Sequence, residues 1–203
     1  MKSLIVGIVD YGMGNHASVI HALRNIGFQV KISDEREILD KSDLLLLPGV
    51  GAFPDAMKAL HERDLVNYLK MRANDSCPIV GICLGMQLLS SSSSEFGYTK
   101  GLDLIPGEVK SLQEPKWHIG WNSIECVQED PILSLNDGQV FYFNHSFCFN
   151  GSSEYQIAVS RYHAPIVSVI RHGKVVGLQF HPEKSQSGGR QLLENLIKGL
   201  CSA

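Results

Sequence analysis

The sequence predicts an α/β fold: an open, mostly parallel sheet flanked by helices, with additional antiparallel strands in the C-terminal half. Three observations predict it. Apolar runs alternate with helix-periodic stretches through the first half. Glycine-rich turns follow three of those runs. The second half then changes to short strand-like segments separated by Gly, Pro, Asn and Asp.

The elements follow in order. Residues 4–9 form a strand ending in the tight loop Asp10-Tyr11-Gly12-Met13-Gly14-Asn15. Asn15 is placed to cap a helix whose Val19, Ile20, Leu23 and Ile26 fall at helical spacing, with Gly27 as its stop. Strands at 28–33 and 44–47 follow, the second running into Pro48-Gly49-Val50-Gly51-Ala52-Phe53. A helical stretch covers 54–73 with a break near 61–64. The strand at 78–82 delivers Cys83, and a helix begins near Gly85. Ser90 to Ser94 are weak helix formers and predict a frayed, solvated helix end. Further strands are expected at 107–112, 119–127, 140–147, 157–162, 166–171 and 174–180, then a last helix over 189–200.

The 203 residues suit one ordinary α/β domain, 1–203, and are too few for two large ones. With 44% hydrophobic residues a full core needs no metal or disulfide. The formal net charge is -3 and no basic run is visible, so neither nucleic acid nor a membrane surface is an expected partner. After Met1-Lys2-Ser3 the apolar stretch stops at Asp10, too short for a span and without a small-residue cleavage site. A cytoplasmic chain is expected. The five cysteines are odd in number, irregularly spaced and without a C-x-x-C pair. That pattern argues against a disulfide framework and a zinc site, and no cofactor or metal is expected.

Three short segments carry chemistry. Gly81-Ile82-Cys83-Leu84-Gly85 has the form of a nucleophile elbow, in which a sharp strand-to-helix turn exposes the central side chain at the sheet's C-terminal edge. A buried structural cysteine in a glycine-rich turn is the plainer alternative. Phe180-His181-Pro182-Glu183 places a histidine at a strand end with a carboxylate two positions on. In extended chain those residues share a side, so Glu183 is able to orient His181 as a general base. A structural histidine is the competing reading, and a metal pair is weaker for want of a third ligand. Pro48-Gly49-Val50-Gly51 is either an ordinary turn or a loop that aims backbone N–H groups at an oxyanion, with the Leu84 N–H as second donor. An elbow cysteine and an H-x-E 98 positions later together form a nucleophile–base–orienter set.

The elbow, the glycine loop and the H-P-E strand end resemble the class I, triad-type glutamine amidotransferases over nearly the whole chain. Asp10 to Asn15, Lys100-Gly101-Leu102, Ile105-Pro106-Gly107, His118-Ile119-Gly120-Trp121-Asn122, Phe141-Tyr142-Phe143 and Phe180 to Ser185 are similar to the branch of glutaminase subunits of imidazole glycerol phosphate synthase. The resemblance implies a Cys83, His181, Glu183 triad that hydrolyses glutamine to glutamate and ammonia. It implies an oxyanion hole of Val50, Gly51 and Leu84, and glutamine held by Gly51, Gln87, Glu95, His145, Ser146 and Phe147. It places Asn15, Trp121 and Lys184 on the surface of a heterodimer with a (β/α)8-barrel cyclase subunit, which receives the ammonia in histidine biosynthesis. Trp117-His118-Ile119-Gly120-Trp121 and Phe143-Asn144-His145-Ser146-Phe147 depart from the family's common forms. The departures leave open an amidotransferase subunit serving a sugar-modifying synthase in surface polysaccharide biosynthesis.

Overall fold

The computed structural model describes residues 4–202; Met1, Lys2, Ser3 and Ala203 lie outside the described residues. In chain order the strands are β1 (Ile5–Val9), β2 (Gln29–Ser33), β3 (Leu44–Gly49), β4 (Ile79–Cys83), β5 (Ser92–Ser93), β6 (Thr99–Lys100) and β7 (Gly107–Ser111). They continue as β8 (His118–Ser123), β9 (Glu125–Cys126), β10 (Val140–His145), β11 (Phe147–Gly151), β12 (Gln156–Tyr162), β13 (Ala164–His172) and β14 (Val175–Leu178). The helices are α1 (His16–Asn25), α2 (Arg36–Leu39), α3 (Phe53–Glu62), α4 (Leu65–Asn74), α5 (Leu84–Leu88) and α6 (Gln186–Ser202).

Eight strands form the main sheet in the order β2-β1-β3-β4-β14-β13-β12-β9. Pairing is parallel from β2 through β14 and antiparallel beyond it. The expected class, a mostly parallel α/β sheet with antiparallel strands in the later half, is the one observed. Period-2 alternation explains the layering. Leu45 and Leu47 join α3, α4 and α5 in one apolar cluster through Phe53, Leu60, Leu69 and Met86. Leu44 and Leu46 face the opposite cluster, built with Val19 and Leu23 of α1 and Leu192, Leu196 and Leu200 of α6. A strand buried on both faces reads as a continuous apolar run, which is why Leu44 to Leu47 show no polar alternation.

The helical stretch expected over 54–73 is two helices, and the break falls where Asp64 takes φ 55°. Asn15 occupies the N-cap position of α1 but makes no side-chain capping bond. Four other expectations need correction. The 119–127 segment divides into β8, paired with β10, and β9, paired with β12. The 140–147 segment divides at Ser146, because β10 pairs with β8 while β11 pairs with β7. His181-Pro182-Glu183 is not extended: residues Pro182–Lys184 form a 3-10 turn. The serines are not a solvated helix end, since α5 stops at Leu88 and Ser90 and Ser93 are buried with partnered hydroxyls.

Candidate active site

Cys83 ends β4 at φ 55°, ψ -111°, a left-sided conformation that a non-glycine residue adopts only under local constraint. The constraint is the elbow itself. Strand β4 is buried at every position, α5 begins at the next residue, and the turn between them presses on β3. A Cβ at Gly85 would lie 1.8 Å from the Leu47 carbonyl oxygen, so only glycine lets the helix sit this close. The Leu84 N–H stands in the first turn of α5, where helix donors lack intrahelical partners.

His181 arrives from the neighbouring strand, because β14 pairs with β4 in parallel register. Its backbone is clamped on both sides: its N–H donates to the Tyr142 carbonyl at 2.8 Å, and its carbonyl accepts from Ser185 Oγ at 2.6 Å. Its Nδ1 lies 2.8 Å from Glu183 Oε1, with both side chains buried, which leaves Nε2 as the nitrogen available to sulfur. Burial alone would lower the His181 pKa. Hydrogen bonds with Cys83 and Glu183, and their charges, outweigh it and raise the value to about 9. The imidazolium is therefore the favoured form beside the sulfur and the carboxylate. The pair comes together through the 3-10 turn, which brings positions 181 and 183 to one side without extended chain.

A cleft of about 360 Å³ opens over the sulfur. Val50, Gly51, Cys83, Leu84, Gln87 and Glu95 line one part of it, and Asn144, His145, Ser146, Phe147, His181 and Lys184 the rest. The glycine loop enters because Gly49 is the register partner of Cys83. Glu95 is nearly buried; burial raises its pKa, the Phe53 N–H that donates to Oε2 at 2.8 Å opposes this, and Asp55 adds to the rise. Ser93 Oγ accepts the Glu95 N–H at 3.1 Å, so the serine run holds this carboxylate at the cleft. A partly desolvated anion in a cleft suits an ammonium group. Gln87 Nε2 donates to the Phe147 carbonyl at 3.0 Å and to Gln179 Oε1 at 3.3 Å, turning Oε1 toward the remaining space.

The structure thus brings Cys83 and His181 of the expected triad, with the expected oxyanion-hole and glutamine-contact positions, into one cleft, and Glu183 is buried against His181 outside it. The three positions expected at a partner surface are spread around it. Lys184 lines the cleft, with Nζ 6.0 Å from the Tyr142 ring centroid. Trp121 is half exposed on β8, edge-on to Tyr142. Asn15 lies behind the triad in a small cavity shared with Glu183. Sequence reasoning missed Asn144, whose carbonyl is 3.8 Å from Cys83 Sγ, and Tyr11, whose hydroxyl donates to the Pro48 carbonyl at 2.7 Å. The Asp10-Tyr11-Gly12 loop was a usable signal for Tyr11; Asn144 had none, because it acts through its backbone. Among the described residues no group of three or more His, Cys, Asp or Glu side chains is placed to hold a metal.

A fold of this topology with a cysteine elbow facing a His–Glu pair defines a class, and the family model for class-I glutamine amidotransferases matches residues 7–199. The chain belongs to the class I glutamine amidotransferase family. Among its relatives is the imidazole glycerol phosphate synthase subunit HisH of Listeria monocytogenes, 43% identical over 194 residues, 94% of this chain and 93% of that one. The subunit of the same name from Carboxydothermus hydrogenoformans is 47% identical over 193 residues, 93% and 96% of the two chains. The solved structure of PurLQS from Thermotoga maritima shares the fold with a TM-score of 0.78 at 17% identity, covering 98% of this chain and 100% of that one.

Proposed function

We propose that this chain is the glutaminase subunit of an imidazole glycerol phosphate synthase. Its Cys83 thiolate attacks the side-chain amide carbon of glutamine, and the charge on the carbonyl oxygen is met by the N–H groups of Leu84 and of the Val50–Gly51 loop. His181 gives its proton to the departing nitrogen, so ammonia leaves and a thioester remains. Water then attacks the thioester as His181 takes a proton back, releasing glutamate and the thiolate. Glu183 keeps His181 in the tautomer that faces sulfur and stabilises its cationic form. Glu95 receives the substrate ammonium and Gln87 Oε1 a donor of the amino-acid group.

The observation that carries the reading is the meeting of Cys83, His181, Gln87 and Glu95 in one cleft of about 360 Å³, a volume suited to a single amino acid, with Glu183 buried against His181 outside it. The name shared by relatives at 43% and 47% identity supplies the pathway, histidine biosynthesis, and the expectation of a second subunit. That subunit is a (β/α)8-barrel cyclase forming a heterodimer, with Asn15, Trp121 and Lys184 on the docking side. The test pairs wild-type chain and Cys83→Ala with the cognate cyclase, glutamine and the ribulosyl–carboxamide acceptor. Wild type is expected to release glutamate and yield imidazole glycerol phosphate; Cys83→Ala is expected to release no glutamate and to yield imidazole glycerol phosphate only with free ammonium supplied. Product formation from glutamine by Cys83→Ala refutes the mechanism, and glutamate release without product refutes the choice of partner.

A further inference from the structure

Beneath the glutamine side of the cleft lies a hydrogen-bond chain that the proposed mechanism does not use. Strands β8 and β10 pair so that His118 and His145 are register partners, and both rings are buried on the inner face of the ribbon. His118 Nδ1 is 3.1 Å from His145 Nε2. His145 Nδ1 is 2.8 Å from the Phe147 carbonyl oxygen. At the other end Asn122 Nδ2 is 3.3 Å from His118 Nε2 and 3.2 Å from the Arg161 carbonyl oxygen.

Both ends of this chain are backbone carbonyls, which only accept, and that settles every proton between them. Phe147 O requires the proton of His145 on Nδ1, leaving His145 Nε2 bare. His118 must then donate from Nδ1, leaving its own Nε2 bare. Asn122 fills that nitrogen with the same amide group that Arg161 O already identifies as NH2. One arrangement of neutral rings satisfies all the contacts, and an added proton on either ring places hydrogen against hydrogen. The surroundings enforce neutrality: burial lowers the pKa of His118 to about 4, and burial likewise takes His145 to about 4, helped by His118 and His181 and opposed by the Phe147 bond. The His118 ring lies 4.3 Å from the Phe143 ring and 4.4 Å from the Tyr162 ring, nearly parallel to each. Two rings stacked that closely cannot share one face, so His118 is enclosed on both.

The inner end of the chain is the cleft wall. Phe147 O takes the His145 proton and a Gln87 Nε2 proton, which uses both of its lone pairs. That carbonyl, at 3.0 Å, is the closer of the two acceptors that fix the Gln87 amide nitrogen, Gln179 Oε1 being the other at 3.3 Å, so its placement helps to set the orientation of the carboxamide at the cleft. We infer that His118 and Asn122, neither of which lines the cleft, are positioning residues for glutamine binding, acting through His145 and Phe147 on the carboxamide of Gln87. The inference rests on the glutaminase reading for its substrate, and it separates binding from chemistry: none of these bonds involves Cys83, His181 or Glu183.

Two measurements test it. In 15N-histidine spectra at neutral pH, His118 and His145 are both expected as neutral rings protonated at Nδ1; an Nε2–H tautomer or a cationic ring at either site overturns the chain. In steady-state hydrolysis by the complex, His118→Phe keeps a ring in the stack but removes the donor. It is expected to raise the KM for glutamine about tenfold, the scale of one buried hydrogen bond, with kcat changed less than about twofold. His118→Asn, whose amide replaces the Nδ1 donor, is expected to restore much of the KM. Unchanged KM in His118→Phe, or equal defects in the two variants, overturns the positioning role. Should His118→Phe not fold, Asn122→Leu at the far end of the chain is expected to raise KM severalfold, and wild-type KM there counts against the proposal. A wild-type complex that releases no glutamate defeats the glutaminase reading itself, while the ring spectra still judge the chain.

Discussion

At His181 two opposing influences meet. Burial disfavours the imidazolium, whereas Cys83 and Glu183 favour it, and the balance raises the pKa from 6.5 to about 9. A folded value above the unfolded one means that the native state holds this proton more tightly. The stability this supplies is complete below pH 6.5 and is lost as pH climbs through about 9. We expect the urea midpoint to fall across that interval, by at most about 3 kcal/mol in stability, and the slope to flatten in His181→Gln. Matching slopes in the two proteins would refute the assignment. Glu183→Gln is expected to cost on the order of 10²–10⁴ in kcat and to slow alkylation of Cys83 at neutral pH; an unaltered rate in both assays removes Glu183 from the mechanism. These residues were visible in the sequence because an elbow and an H-x-E are local spacings. The contact between His118 and His145 was not, since it depends on the register of β8 against β10, which no local pattern encodes.

Among the elements, the end of β3 controls the glycine loop. Tyr11 is wholly buried, and its hydroxyl holds the Pro48 carbonyl just before Gly49 and Val50 reach the sulfur. Burial raises the phenol pKa, with the Cys83 charge adding to the rise, so Tyr11 stays a donor. Tyr11→Phe leaves that carbonyl without a partner at a cost of about 1–3 kcal/mol. The N–H groups beyond it lose their fixed aim, so kcat is expected to fall about tenfold or more while KM for glutamine stays near wild type. A change confined to KM would show that Tyr11 serves binding instead. The parallel half of the fold was readable because doubly covered strands are uninterrupted apolar runs. Residues 119–127 and 140–147 were misread as single strands because each feeds two sheets, and the divisions at Ile124 and Ser146 reflect tertiary pairing rather than composition. The serine run misled for a related reason: Ser90 and Ser93 bond backbone groups two or three residues away, but Ser94 Oγ donates to the Val109 carbonyl of β7, a partner that only the fold supplies.

On the scale of the whole molecule, the ribbon of β8 and β10 gives one face to the core and the other to solvent. Phe141 and Phe143 lie inward, whereas Ile119, Trp121 and Val140 are about half exposed beside Tyr142 and Lys184. An apolar face bordering the cleft is the natural seat of the proposed cyclase. Trp121→Ala is expected to weaken that association by about 2 kcal/mol, roughly 30-fold in Kd, without lowering the Tm of the isolated chain. A lowered Tm with unchanged affinity would make Trp121 structural. The parallel pairing of β4 with β14 has a consequence for biosynthesis of the protein. The sulfur and its base come from adjacent strands encoded far apart, so a ribosome that has completed the elbow has made only an ordinary thiol without its base. Reactivity waits until the last strand emerges and docks, which spares the nascent polypeptide a hot cysteine while its surfaces are still uncovered.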